Sequence, residues 1–222
     1  MKRLLSTKIL PESLQERLRS SGWQLTQYNA ISIELLPVVF RPQGSIAIFT
    51  SKQAVRACLA GNPDGDLSGA SCLCVGAKTA SLIREHGGKV LEFASSATEL
   101  ASWISRKYTD QSFIYYCGNR RLDIIPEALE RMSVSWEEVT VYHTQMVKRS
   151  FDHPFEGILF FSPSGVESYT SLNPVGKATA YCIGPTTAAE VNKHTKKYKI
   201  ATTPDLEALA ALVIQSTNPV KN

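Results

Sequence analysis

The chain contains no GxGxxG turn, no GxxxxGK[ST] loop and no GxSxG elbow, so the signatures of dinucleotide, nucleotide and serine-hydrolase sites are missing. It has no CxxC pair, since Cys72 and Cys74 stand one residue apart. Its four histidines, His86, His143, His153 and His194, lack metal-site spacing. A thiol pair at i, i+2 on an apolar strand reads as core filling. Five cysteines without framework spacing argue against disulfides and for reduced thiols in a cytoplasm. No apolar run approaches the ~20 residues needed to cross a bilayer. The N-terminal MKRLLSTKILPES is interrupted by Ser6, Thr7 and Lys8, which makes it a poor signal peptide. Excess charge is scarce too: 24 basic against 20 acidic residues leave +4, too little to argue for nucleic acid. The richest basic spot, Lys193 to Lys199, reads as a solvated helix end, or as part of a modestly basic site for an anionic small molecule.

What is present is an internal repeat. Ile46 to Leu59 (IAIFTSKQAVRACL) aligns with Gly157 to Leu172 (GILFFSPSGVESYTSL), placing Ser51 on Ser162 and Val55 on Val166 at an offset of 111. Cys74 to Ala80 (CVGAKTA) aligns with Cys182 to Ala188 (CIGPTTA) at an offset of 108, which also pairs Thr79 with Thr187 and Glu99 with Glu207. Two copies are too few for a solenoid. They fit two similar lobes, and two lobes with matching loops make a cleft.

Apolar runs alternate with helical patterns of about ten residues along most of the chain, the signature of an α/β fold with parallel sheets covered on both faces. Strands are expected at Leu4–Ile9, Trp23–Tyr28, Ile46–Phe49, Cys72–Val75, Val90–Phe93, Phe113–Cys117 and, with alternating faces, Glu137–Tyr142. Helices are expected after Pro11, around Ala54–Leu59, and over Thr79–His86, Thr98–Lys107, Ile124–Met132 and Asp205–Gln215. Ile31 to Phe40 is apolar and extended, with Pro37 and Pro42 forbidding a helix. One strand-helix-strand precedes both repeats, so the simplest topology is an insertion. Residues 1–30 with 150–222 form one lobe, 41–140 the inserted lobe, and 31–40 and 141–149 a two-stranded connecting ribbon.

In open parallel sheets ligands sit beyond the carboxyl ends of the strands. The turns Thr50–Ala54, Gly76–Thr79, Gly118–Arg121, Ser162–Gly165 and Gly184–Thr187 all fall there. Three of them are rich in small and hydroxyl residues at expected helix N-termini: Lys78 and Thr79; Ser162, Ser164 and Gly165; Thr186 and Thr187. Such turns suit carboxylate or phosphate, although the same hydroxyls also cap helices that bind nothing. Arg120 and Arg121 offer a fork for carboxylates, or else pair with Asp123 or Glu127. Tyr142 either packs at the ribbon or reaches a ligand.

Taken in order, these turns resemble the uroporphyrinogen-III synthase family from Leu4 to about Gln215. The resemblance is carried by FFSPSGVESY at Phe160–Tyr169, IGPTTA at Ile183–Ala188, and CGNRR at Cys117–Arg121 leading to VTVYHT at Val139–Thr144. It implies two α/β lobes joined by a ribbon, and a cyclisation of hydroxymethylbilane to uroporphyrinogen III with loss of water and inversion of the last ring. It implies no cofactor and no metal. Thr79, Tyr142, Ser162, Ser164 and Thr187 would line the cleft, with Lys78, Gly165, Thr186 and Arg120 beside them and Tyr142 assisting departure of the hydroxyl. The partner is then a linear tetrapyrrole polycarboxylate, with no nucleic acid and no membrane. A cytoplasmic monomer in transient contact with the preceding deaminase completes the expectation. A bilobal anion-binding module, and an unrelated α/β enzyme acting on a phosphorylated substrate, use the same turns and stay open at this level.

Overall fold

A computed structural model describes residues 2–36 and 38–216. Met1, Pro37 and residues 217–222 lie outside the described residues, and with them the helix-breaking role expected of Pro37 and both extreme ends of the lobe expected over 1–30 and 150–222. The elements run β1 (Lys2–Ser6), α1 (Glu12–Ser20), β2 (Trp23–Gln27), β3 (Ile31–Leu35), β4 (Ile46–Phe49), α2 (Lys52–Gly61), β5 (Ser71–Val75), α3 (Ala77–Glu85), β6 (Lys89–Ala94) and α4 (Ala97–Lys107). There follow β7 (Phe113–Gly118), α5 (Ile124–Met132), β8 (Trp136–Met146), β9 (Gly157–Phe160), α6 (Pro163–Thr170), β10 (Thr179–Cys182), α7 (Pro185–Val191), β11 (Tyr198–Ile200) and α8 (Leu206–Gln215). The chain divides into two compact units, Met1–Ser32 with Gln145–Asn222, and Ile33–Thr144.

The first unit has a five-stranded sheet in the order β11-β10-β9-β1-β2, and every neighbouring pair is parallel. Counted along that unit alone the order is 2-1-3-4-5, a doubly wound sheet whose winding reverses between β1 and β9. Leu14 and Leu18 of α1 and Leu209, Ala210 and Val213 of α8 cover one face. Val166 and Tyr169 of α6 and Ala188 and Val191 of α7 cover the other. The second unit has the order β3-β8-β7-β4-β5-β6. Its α2 and α3 pack through Val55, Cys58, Ala80 and Ile83 on one face, and its α4 and α5 through Leu100, Ile104, Ile125 and Leu129 on the other.

Reading the second sheet from β6 to β8 gives the same arrangement as the first read from β11 to β2. Thus β4, β5 and β6 correspond to β9, β10 and β11, while β7 and β8 correspond to β1 and β2. The two units are circular permutations of one pattern: the first opens with the strand-helix-strand on which the second closes. The strand β3 is the addition, and it runs antiparallel to β8, since Leu36 N–H donates to Val141 and Val147 N–H donates to Ala30. The runs IAIF and GILF are buried throughout, as strands covered on both faces must be.

Three local expectations are corrected. The first strand ends at Ser6 rather than Ile9, because the Ser6 hydroxyl donates to the Lys8 carbonyl and Asn29 Oδ1 accepts from Ile9 N–H, closing the segment into a loop. The extended stretch from Ile31 is a strand only to Leu35. The last strand of the second unit runs on to Met146, and its faces alternate as expected through Val141, with Trp136 on one cluster and Val139 and Val141 on the other. The register shift at Cys117/Gly118 then interrupts the pleat, so Tyr142 packs on the same cluster as Val139 and Val141. All five cysteines are buried and unpaired. Burial pushes the thiols of Cys58, Cys72, Cys117 and Cys182 up to about 12 and that of Cys74 to about 11, so Cys72 and Cys74 are core filling.

Candidate functional site

Each unit carries its candidate turns at the carboxyl ends of its central strands. In the first unit β9 passes through Ser162 into α6. Ser162 is extended and caps the helix, its Oγ accepting from Gly165 N–H at 3.1 Å, and Pro163 follows at the start, where no N–H is needed. A Cβ on Gly165 would stand a tight 3.3 Å from Ser162 Oγ and an ordinary 3.6 Å from Thr7 Oγ1, which places the start of α6 beside the end of β1. Ser164 is half-buried on the same turn. One strand over, β10 enters α7 through Gly184 and Pro185, with Thr186 exposed and Thr187 only 1% exposed.

The second unit repeats these placements. Ser51, paired with Ser162 by the 111-residue offset, caps α2 by accepting from Gln53 N–H at 3.1 Å and Ala54 N–H at 3.4 Å. Gly76, paired with Gly184, begins α3 at φ +87°, a conformation that favours glycine. Lys78 is exposed, and Thr79, the partner of Thr187, is 5% exposed. Beyond β4, Thr50 Oγ1 lies 3.1 Å from the hydroxyl of Tyr115.

Of the three turns expected to supply capping hydroxyls, only Ser162 caps. Gly76 and Gly184 begin their helices without a side-chain cap, and Thr79 and Thr187 stand three residues further on. Among the described residues the hydroxyls of Thr79, Ser164, Thr186 and Thr187 make no hydrogen bond, and those of Thr79 and Thr187 are not among the sealed, unpartnered polar atoms. Threonines this buried, with hydroxyl groups unspent by the fold, leave one donor and two lone pairs each for a ligand. The uncapped N–H groups at the starts of α3 and α7 add partial positive charge beside them.

Tyr142 stands on β8 opposite Gly118, because the register shift skips Val141. A side chain on Gly118 would collide with the Tyr142 ring, and Asn119 N–H donates to the Tyr142 carbonyl at 3.2 Å. Tyr142 is half-buried. Both arginines of the expected fork have interactions of their own. Arg121 donates from Nε to Glu138 at 2.7 Å and pairs with Asp123, so its charge is compensated within the fold. Arg120 is exposed. Thr7, which sequence reasoning passed over, is 4% exposed and donates from Oγ1 to the Leu159 carbonyl at 2.8 Å. The visible signal was a Ser-Thr pair ending an apolar strand, but only the sheet order brings it beside Gly165. Among the described residues no group of three or more His, Cys, Asp and Glu could hold a metal, and no helix is long and apolar enough to cross a membrane.

A depression of about 640 Å³ lies elsewhere in the second unit, near the starts of β4 and β5, lined by Ser45, Ser68, Ser71, Lys107 and Tyr108 among others. The strand-end turns lie at the opposite end of that sheet. Parallel sheets present their uncapped helix starts at the carboxyl ends, which favours the turns over the larger hollow.

The family model described as uroporphyrinogen-III synthase HemD matches residues 12–211. Among solved structures, uroporphyrinogen-III synthetase from Helicobacter pylori 26695 superposes with a TM-score of 0.70 at 19% identity, covering 97% of this chain and 100% of that one. A mutant uroporphyrinogen III synthase from the extremely thermophilic bacterium Thermus thermophilus also gives 0.70, at 15% identity, covering 97% of both chains. At those identities the superpositions establish the α/β fold. No curated protein sequence matches the chain.

Proposed function

The chain belongs to the uroporphyrinogen-III synthase family, and from that premise we propose how its own residues cyclise hydroxymethylbilane to uroporphyrinogen III in haem biosynthesis. The observation that carries the reading is the matched pair Thr79 and Thr187. Each is buried three residues into a helix whose start has no side-chain cap, and each keeps a hydroxyl that the fold does not use. With Ser162, Ser164, Gly165, Thr186 and Lys78 they offer hydroxyls, N–H groups and a cation to a substrate rich in carboxylates, and exposed Arg120 adds a second cation.

The chemistry asks little acid-base help. The hydroxyl of a hydroxymethyl group on an electron-rich pyrrole departs as the ring nitrogen pushes electrons toward the methylene carbon, which stays on the ring as a protonated azafulvene. Tyr142 donates a proton to the departing hydroxyl so that water leaves. The substituted carbon of the last ring then attacks the methylene carbon, forming the new C–C bond in a spiro intermediate. Fragmentation and reclosure invert that ring, and the proton lost on rearomatisation balances the one donated. Without control the linear substrate closes at the unsubstituted carbon and gives the type I isomer. Holding it in the other geometry is therefore the main task, and distributed neutral donors suit that better than one reactive group.

Five buried, unpaired thiols support a reducing, cytoplasmic setting. Both sets of turns belong to one chain, which supports a monomer. The lability of the substrate favours transient contact with the deaminase that makes it. Freshly prepared hydroxymethylbilane, incubated with the protein and oxidised to uroporphyrins, tests the reading directly. Type III product in proportion to enzyme supports it. Type I alone, at the uncatalysed rate from folded protein, rejects it in favour of a binding module.

A further inference from the structure

We propose that Lys8, in the loop between β1 and α1, binds a carboxylate of the substrate, adding a cationic subsite to the hydroxyl turns of the first unit. The proposal rests on the reading of the ligand as a tetrapyrrole polycarboxylate. It starts from sheet order. The winding of the first unit reverses between β1 and β9, and the crevice beyond those two strand ends is where doubly wound sheets admit ligands. One wall is the start of α6 with Ser162, Ser164 and Gly165. The other is the β1–α1 loop, whose Thr7 Oγ1 lies 3.6 Å, an ordinary packing distance, from where a Cβ on Gly165 would stand.

This loop is braced by side chains from three directions. The Ser6 hydroxyl donates to the Lys8 carbonyl, Asn29 Oδ1 accepts from Ile9 N–H at 3.1 Å, and Gln27 Oε1 accepts from Leu10 N–H at 3.0 Å. Gln15 Nε2 donates to the Leu10 carbonyl at 2.8 Å. Thr7 is tied to Leu159 through both its N–H and its hydroxyl. Polar groups of β1, α1, β2 and the segment after it are thus spent on fixing residues 7–10. Lys8 itself is exposed, and among the described residues its ammonium makes no ion pair or hydrogen bond. Lys193 pairs with Glu190 at 2.6 Å and Lys197 donates to the Lys177 carbonyl at 2.9 Å. What sets Lys8 apart from other partnerless lysines such as Lys2 and Lys89, which stand at the starts of their strands, is its place just past the end of β1, where the winding reverses. Ile9, 55% exposed beside Lys8, adds apolar surface next to the cation, a combination suited to a carboxylate arm on a pyrrole. An ammonium with no counter-ion, on a loop whose backbone the fold has already ordered, binds an anion without the cost of ordering the loop.

The test compares Lys8→Gln, Lys8→Arg and the control Lys197→Gln in the full chain, with thermal melts to confirm folding. KM, kcat and the type III to type I ratio are measured with hydroxymethylbilane, and uroporphyrin III binding is followed by fluorescence. Lys8→Gln raises KM and the uroporphyrin Kd about tenfold, with kcat within about twofold of the parent. Lys8→Arg restores most of the affinity, and Lys197→Gln changes neither constant. Lys8→Gln with both KM and Kd within twofold of the parent overturns the proposal, as does an equal loss in Lys197→Gln, which would make the effect one of bulk charge. The two readings fail separately. A parent that makes no type III isomer overturns the synthase reading. The porphyrin Kd of Lys8→Gln then still decides the subsite.

Discussion

Tyr142 and Gly118 were both visible in the chain as members of strand-end motifs, but nothing in either motif says that they touch. The contact exists because β8 gains a residue relative to β7, so that Tyr142 rather than Val141 stands opposite Gly118. Tyr142→Phe keeps the ring and loses the phenol, and is expected to lower kcat by on the order of tenfold or more. Gly118→Ala keeps the phenol but displaces the ring, and should lower activity to a similar degree while also lowering the melting temperature. Equal kinetics for Tyr142→Phe and the parent would remove the proton-donor role. At Thr187 binding can be separated from folding. Its hydroxyl is unused by the fold, so Thr187→Val, nearly the same shape, is expected to leave thermal stability unchanged or raise it. The same variant should reduce kcat/KM by about fivefold, the scale of one neutral hydrogen bond. A drop in stability equal to the drop in activity would show that the hydroxyl serves the fold.

At the scale of elements, helix starts fall into two kinds. Those begun by Ser51, Ser96, Ser162 and Asp205 have side-chain caps, while those begun by Pro11, Gly76, Asp123 and Gly184 do not. The capped start of α4 is reinforced by Glu99, which accepts from Ser95 N–H at 2.8 Å and Ser95 Oγ at 2.6 Å while its own N–H donates to Ser96. The hydrogen bonds from the Ser95 side chain and backbone hold the Glu99 carboxyl below its ordinary value of 4.5. A group lowered in the folded state contributes its stability above the unfolded value and loses it as pH falls through the folded one. Glu99→Gln is therefore expected to flatten the acid limb of the melting-temperature profile below pH 4.5 and to leave catalysis alone. An unchanged acid limb would show that these exposed bonds contribute nothing to stability. The uncapped glycine starts are the ones beside Thr79 and Thr187, and the sequence hints at this only through the paired glycines of the repeat.

For the whole molecule, two units built on one permuted pattern each carry similar turns at their strand ends. With a net charge of +4 and most candidate contacts neutral, electrostatics contribute without dominating. Raising ionic strength from about 0.05 to about 0.5 M is expected to raise KM several-fold and leave kcat nearly constant, as screening shortens the reach of Lys78, Arg120 and Lys8. Salt-independent kinetics would assign binding almost wholly to hydroxyl and N–H groups.

Periodicity and apolar runs alone established the α/β class, because doubly buried strands must be continuously apolar whatever surrounds them. The repeat offset paired Thr79 with Thr187 and Ser51 with Ser162 without any coordinates. Local sequence could not reveal that β1 lies beside β9, which joins residues some 150 apart: Leu5 pairs with Ile158. That neighbourhood sets Thr7 and Lys8 beyond the strand ends between which the sheet's winding reverses. Nor could it reveal that Arg121, in the turn after β7, pairs with Glu138 of β8. Strand and helix character are short-range consequences of side-chain pattern. Which strand ends share a crevice, and which charges are already spent, depend on contacts between distant residues, and only the tertiary structure decided those.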